Sequence, residues 1–186
     1  MRFTLALFMA LFMVGCAKSP QQVPFQAQIS TGGVQSSGES ISLAIKDLRQ
    51  SEVLGSRGGV YEGTSLITLQ KGAIKDIEAF IKGRLEQAGF VFAEDIAANW
   101  SIKLDDLSYD VEKMSSVKEK VTVQCRMSIV ITKDHSTFEN SYSATSSEEV
   151  IGLATEAKNV EIINRALNAT LQSMLKDDEI TRFMNL

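Results

Sequence analysis

Residues 121–131 read VTVQCRMSIVI. Apolar side chains occupy every second position from Val121 to Ile131, and polar residues occupy most positions between them. A period of two predicts a β-strand that buries one face. A polar turn at residues 133–136 follows, and a second alternation that begins near Phe138 indicates a returning strand. This stretch therefore predicts a long β-hairpin, around which the rest of the chain is organised.

A third strand precedes the hairpin. Its apolar residues alternate in two sets that are out of phase, because Leu104 and Leu107 lie three positions apart. A slip of one residue would turn one set towards solvent, so we predict a β-bulge at Asp105 and Asp106. Three successive strands joined by turns form an antiparallel meander. At about 3.3 Å per residue the first two strands each exceed roughly 35 Å, and we expect their tips to project beyond the body.

Two long helices flank the meander. Isoleucine and leucine recur at steps of three and four over residues 72–88, which predicts an amphipathic helix that Gly89 ends. The same spacing from Val160 to Met174 predicts a second helix. The fold class is therefore expected to be α+β, with one antiparallel sheet, a meander of long strands, and two long helices packed on one face.

Polar residues mark the helix starts. Asn159 is the predicted N-cap of the second helix, and Thr155 is the alternative one turn earlier. Asp177 or Asp178 is predicted to cap a final short helix.

The first sixteen residues read MRFTLALFMALFMVGC. The apolar run over residues 3–14 spans about 18 Å as a helix, too short for a hydrocarbon core of about 30 Å, so it predicts a secretion signal. Its end, Met-Val-Gly-Cys, resembles the lipobox of bacterial lipoproteins. That resemblance implies cleavage between Gly15 and Cys16 and lipidation of Cys16. The alternative is an ordinary signal peptide whose apolar region ends at a cysteine.

The residues after Cys16 are rich in Gln, Ser and Gly, which indicates a flexible tether. The predicted organisation is a signal peptide over 1–15, a lipidated cysteine and tether over 16–38, and a single α+β domain over 39–186. Ala17, rather than Asp, follows the cysteine, and resemblance to lipoproteins of enveloped bacteria then implies export to the outer membrane.

Charge and reactive residues limit the classes of function. A net charge of −4 argues against nonspecific binding to nucleic acid or to an anionic membrane surface. Cys125 lies on the apolar face of a strand and is predicted to be a buried, inert thiol without a disulfide partner. His135, in a turn, is the only histidine, so a common zinc site is not expected. Asp105 and Asp106 are predicted to be solvated charges, and we expect no catalytic, metal or cofactor site and no enzyme.

Several short motifs together resemble the YajG family of small bacterial lipoproteins. They are Gly-Cys-Ala-Lys at 15–18, Leu-Glu-Gln-Ala-Gly-Phe at 85–90, Leu-Ser-Tyr-Asp-Val at 107–111, Asn-Ser-Tyr-Ser-Ala at 140–144, and the Asn-rich last helix with its Ile-Thr-Arg-Phe tail. The resemblance implies a lipoprotein on the periplasmic face of the outer membrane with no catalytic residues. Some members of the family are encoded beside a muropeptide permease, which suggests a role in the cell wall.

Two hypotheses for function follow. The first is a noncatalytic envelope module that binds or helps to assemble a protein partner, because long hairpin edges can accept a partner strand. The alternative is a binder of small ligands, either peptidoglycan fragments or lipids, with the Gly-rich loop at 55–63 covering a cleft.

Overall fold

The computed structural model describes residues 20–29, 33–36, 38–58, 65–93 and 96–186. These residues form one open sheet of seven strands with three helices. In chain order the elements are β1 (Gln21–Val23), β2 (Ile41–Asp47), β3 (Val53–Ser56), β4 (Leu66–Leu69), α1 (Ala73–Gln87), β5 (Ala98–Lys113), β6 (Lys118–Lys133), β7 (Ser136–Ile151), α2 (Glu156–Leu175) and α3 (Asp178–Met184). None of these helices is both long and apolar enough to cross a membrane.

The sheet is mixed rather than purely antiparallel. Its order is β1-β4-β3-β5-β6-β7, and β2 joins the same edge of β5 as β3. The pairs β1–β4, β2–β5 and β3–β5 are parallel, whereas β3–β4, β5–β6 and β6–β7 are antiparallel. The prediction of an all-antiparallel sheet is therefore wrong for the pairs β1–β4, β2–β5 and β3–β5. Local alternation shows that a segment is a strand, but it does not show which distant strand is the partner or in which direction the partner runs.

The predicted meander and bulge are confirmed. β5 pairs with β6 from Ala98 to Lys113, and the register shifts between Leu104 and Asp106. The extra residue keeps Leu104 and Leu107 on one face, and both are buried. β6 and β7 then pair over sixteen residues without a shift.

The helices cover one face of the sheet. The alternating apolar residues of β6 are buried on that face, together with the stripe Ile77, Ile81 and Leu85 of α1. The ring of Phe90, after α1, meets Trp100 of β5 edge to face at 5.4 Å between centroids. The opposite face of β6 carries exposed and half-buried side chains, with Ser128 buried among them. The result is a two-layer arrangement with its core between helices and sheet.

At the start of α2 and of α3, the N-cap is one of the two residues that the sequence offered. Thr155 is the N-cap of α2 and accepts a hydrogen bond from the Lys158 N–H at 3.2 Å, so the preferred prediction of Asn159 is wrong and the alternative is right. Asn159 lies one turn inside α2 and is buried. Asp177 caps α3 and accepts from the Glu179 N–H at 2.8 Å.

Residues of the expected tether that the structure describes are part of the folded domain. Gln21–Val23 forms a strand of the sheet, and Val23 and Val34 are buried in the core. The domain therefore includes chain well before residue 39. The predicted signal peptide and the residues up to 19 lie outside the described residues.

Candidate functional site

Two asparagine side chains hold the start of the domain on α2. The carboxamide of Asn164 accepts from the Gln26 N–H at 2.7 Å and donates to the Pro24 carbonyl at 3.0 Å. One turn later, Asn168 accepts from the Gln28 N–H at 2.8 Å and donates to the Gln26 carbonyl at 2.8 Å. We call residues 21–28 the N-terminal strap. The two carboxamides give this extended chain the hydrogen-bond partners that a neighbouring strand would otherwise provide.

A third asparagine holds the beginning of the strap. Asn159 donates to Gln21 Oε1 at 2.9 Å, and Gln21 Nε2 donates to the Glu156 carbonyl at 2.8 Å. The Tyr109 hydroxyl donates to Asn159 Oδ1 at 2.8 Å. Burial, with a smaller contribution from the Glu119 carboxylate, raises the pKa of Tyr109 to about 12, so this hydroxyl keeps its proton. Gln21 is thus tied to both the helix layer and the sheet.

The sequence itself contains a signal for this arrangement. Asparagine has a poor helix propensity, yet Asn164 and Asn168 lie inside the predicted apolar helix, and Asn159, its predicted N-cap, lies one turn inside α2. All three are buried. Buried polar residues in a helix interior require hydrogen-bond partners, and here the strap contributes most of them.

The strap begins towards the end of the sheet that carries the β5–β6 turn. Gln21 pairs with Ile67, Ile67 pairs with Gly55, and Gly55 pairs with Tyr109. Gln21 therefore lies level with Tyr109, near the end of β5. Because β1 runs antiparallel to β5, the chain before Gln21 approaches from the side of the β5–β6 turn.

That end of the sheet carries a cluster of exposed apolar side chains, which we call the apolar tip. Met114, Val117, Ile151 and Leu153 are 50%, 61%, 83% and 54% exposed. The Gly152 N–H donates to the Val117 carbonyl at 2.9 Å, so the β5–β6 turn and the end of β7 are held together. Scattered exposed apolar residues are ordinary, but a contiguous group marks an interaction surface.

A cleft of about 760 Å³ adjoins the apolar tip, between β3, β5 and Leu153. At its floor β3 touches β5 closely, and a Cβ on Gly55 would lie 1.9 Å from the Tyr109 carbonyl oxygen. Glu119 also lines the cleft, and its Oε2 atom is buried with no hydrogen-bond partner among the described residues. The first residues of the predicted Gly-rich loop, 55–58, border this cleft, and residues 59–63 lie outside the described residues.

The outer edge of β7 is a second candidate surface. β7 stands last in the sheet and pairs with β6 alone. The Ser141 N–H donates to its neighbour's side chain, Asn140 Oδ1, at 2.8 Å rather than to β6. Alternation in antiparallel strands then turns the odd-numbered N–H groups of β7 outwards.

A family model described as "Uncharacterized lipoprotein" matches residues 27–185. The chain belongs to this lipoprotein family. Among solved structures, it is similar to protein XCC0632 from Xanthomonas campestris, with 11% identity and a TM-score of 0.57, over 90% of this chain and 98% of that one. It is also similar to the rare lipoprotein B from Shewanella oneidensis, with 10% identity and a TM-score of 0.44, over 80% of this chain and all of that one. No curated protein matches the chain.

The structure describes some of the residues that the sequence analysis singled out and leaves the predicted lipidation site outside its described ranges. Gly15 and Cys16 lie outside the described residues. Cys125 is 1% exposed, which confirms a buried thiol, and burial raises its pKa to about 12. His135 is exposed in the β6–β7 turn. Within the described ranges, no three His, Cys, Asp or Glu side chains are grouped so that they could hold a metal ion. The absence of catalytic and cofactor residues stays a prediction.

Proposed function

We propose that this lipoprotein is anchored by lipid on Cys16 at the periplasmic face of the outer membrane, where it acts as a noncatalytic module that binds an extended segment of a protein partner. Membership of the lipoprotein family supports the anchor, and the Gly15-Cys16 pair provides the site for it. Ala17 and the resemblance to the YajG family support the outer membrane as the destination.

The free edge of β7 is the observation that supports binding of a partner strand. Sixteen paired residues extend about 50 Å, a long edge for a small domain. Natural edges are commonly protected by lysine, proline or a bulge. Ser136–Ile151 contains no lysine, arginine or proline, and it pairs with β6 without a bulge. Such an edge favours addition of a partner strand through backbone hydrogen bonds.

The charges of β7 indicate which partner fits. Glu139 is exposed on the strand with no basic residue of β7 to balance it, whereas the exposed Glu149 pairs with Lys118 of β6 at 3.7 Å. Glu148, on the helix side, is already paired with Lys158 at 2.9 Å and with Arg165 at 3.2 Å. We therefore expect the partner segment to be extended and basic.

Photo-crosslinking in cells tests the proposal. A photoreactive residue at Ser143, in the middle of β7, should form one dominant adduct, whereas the same residue at Asp110, exposed two strands away, should not. Thr145→Pro, added to the chain that carries the probe at Ser143, removes the next outward N–H and keeps the pairing with β6, so it should abolish the adduct. Thr145→Lys is the second variant if the proline form does not fold. Equal adducts at Ser143 and Asp110, or none at Ser143, would contradict binding at this edge.

The cleft beside the apolar tip favours a second candidate, a small ligand. Its volume suits a ligand, and the unpartnered Glu119 Oε2 offers a hydrogen-bond acceptor to a donor group. Muropeptides and phospholipids are the probes, and the measurement is the thermal midpoint of unfolding. A midpoint that rises with either probe, and rises less in Glu119→Gln, supports this candidate. No rise with any probe contradicts it.

A further inference from the structure

The apolar tip exposes four large apolar side chains from two segments of the chain. Its two segments read Lys-Met-Ser-Ser-Val-Lys over 113–118 and Val-Ile-Gly-Leu over 150–153. Lys118 pairs with Ile151 across the strands, so both segments share one end of the sheet. The turn itself contains no acidic residue, and exposed lysines stand on both sides of its two apolar side chains. Lys113 can keep its ammonium group in the headgroup layer while apolar neighbours reach deeper, whereas Lys118 is paired with Glu149 at 3.7 Å.

The position of the strap relates this tip to the anchor. Gln21 lies five residue steps after Cys16, a reach of at most about 17 Å for a fully extended chain. Gln21 lies level with Tyr109, and Ile151 lies about five residue levels further towards the turn, which is also about 17 Å along the sheet. The chain before Gln21 starts towards that same end. A lipid on Cys16 therefore holds this end of the sheet close to the bilayer.

We propose that the apolar tip rests against the phospholipid surface that holds the anchor, so that the sheet stands on the membrane and points its opposite end away from it. This inference rests on the anchor in the proposed function. The overall negative charge does not oppose the contact, because apolar side chains make it and the nearest turn carries lysines. The contact would leave the edge of β7 accessible to a partner except at its last residue, Ile151.

The experiment uses the full lipidated protein in vesicles of phosphatidylethanolamine and phosphatidylglycerol. An environment-sensitive dye is attached to Ile151→Cys in one sample and to Val91→Cys in another. Val91 is 48% exposed and bridges to Ser40, beside Ala98, at the other end of β5. The matched sites thus stand about 50 Å apart along the sheet. Cys125 is buried and does not take up the dye.

Two measurements separate the outcomes. Vesicle flotation and the mass of the N-terminal peptide report the anchor, and quenching of the dye by spin-labelled lipids reports the tip. We expect flotation, with strong quenching at residue 151 and weak quenching at residue 91. Flotation with equal quenching at both sites overturns the inference and leaves the anchor intact. A protein that neither floats nor carries lipid overturns both. Protection at residue 151 only when a second protein co-purifies also overturns the inference, because the tip then faces a protein.

Discussion

The side chain of Asn164 accepts the backbone N–H of Gln26 at 2.7 Å, and these two residues are 138 positions apart in the chain. Asn168 repeats the contact with Gln28 one turn later at 2.8 Å. The segment that follows the predicted anchor is thereby fixed to the last long helix. Gln26 and Gln28 are therefore held against α2 rather than lying in a loose linker.

The strap makes a testable contribution to stability. Asn164→Ala removes both bonds to the strap and leaves a partly buried N–H and carbonyl without partners. We expect the free energy of unfolding to fall by about 1–3 kcal/mol. Urea denaturation of residues 20–186 measures it.

Ser173→Ala is the matched control on α2. Ser173 is exposed and bonds only to its own helix, through the Ala169 carbonyl, so its replacement should change stability by less than about 0.5 kcal/mol. Equal losses in the two variants would contradict a specific role for the asparagine.

The second prediction is that alanine at two different glycine positions changes the stability of the domain in opposite directions. In Gly55→Ala the new methyl group would meet the Tyr109 carbonyl oxygen at 1.9 Å, so β3 must separate from β5, and we expect a loss of about 1–3 kcal/mol or more. Gly83 lies inside α1 with open space around it, so Gly83→Ala should stabilise the domain by about 0.5–1 kcal/mol. Thermal unfolding compares both variants with the wild type. A neutral Gly55→Ala would show that the contact between β3 and β5 is not as close as described.

The sequence predicted the features that depend on neighbours in the chain. Alternation gave the β5–β6–β7 meander, because a hairpin needs only adjacent strands, and the phase change at Leu104 and Leu107 gave the bulge. The sequence did not predict the parallel pairing of β1 with β4 or of β2 with β5. The paired strands lie tens of residues apart in the chain, and a local pattern does not show the direction of a partner. The strap was mistaken for a tether because its polar residues bury no large apolar face. Its partners are side chains of α2, which no local pattern in residues 17–38 shows.

The thiol of Cys125 provides a third prediction. Burial raises its pKa to about 12, so at pH 8 its thiolate fraction falls about a thousandfold below that of an ordinary cysteine. The native domain should resist iodoacetamide, and unfolding in urea should expose one reactive thiol, as mass spectrometry would count. The dye site Ile151→Cys is the control and should react at once in the native state. Rapid modification of Cys125 in the folded domain would contradict its burial.

Asp177 provides a prediction about pH. Burial raises the pKa of its carboxyl, but hydrogen bonds from the Tyr142 hydroxyl, the Glu179 N–H and the Asn140 amide outweigh this and hold the pKa below its usual 3.8. A folded-state pKa below the unfolded value means that folding favours the ionised form. The resulting stability is fully present above about pH 4 and is lost as the pH falls through the folded-state value.

Asp177→Asn tests this sign. Asparagine still caps α3, so the variant removes the charge and retains the cap. The difference in free energy of unfolding between wild type and variant should be constant from pH 5 to pH 8 and should shrink below about pH 4. Asp178→Asn, at the exposed neighbouring position, is the matched control and should change the free energy of unfolding by less than about 0.5 kcal/mol. A difference for Asp177→Asn that is independent of pH would show that its carboxylate charge does not stabilise the join between β7 and α3.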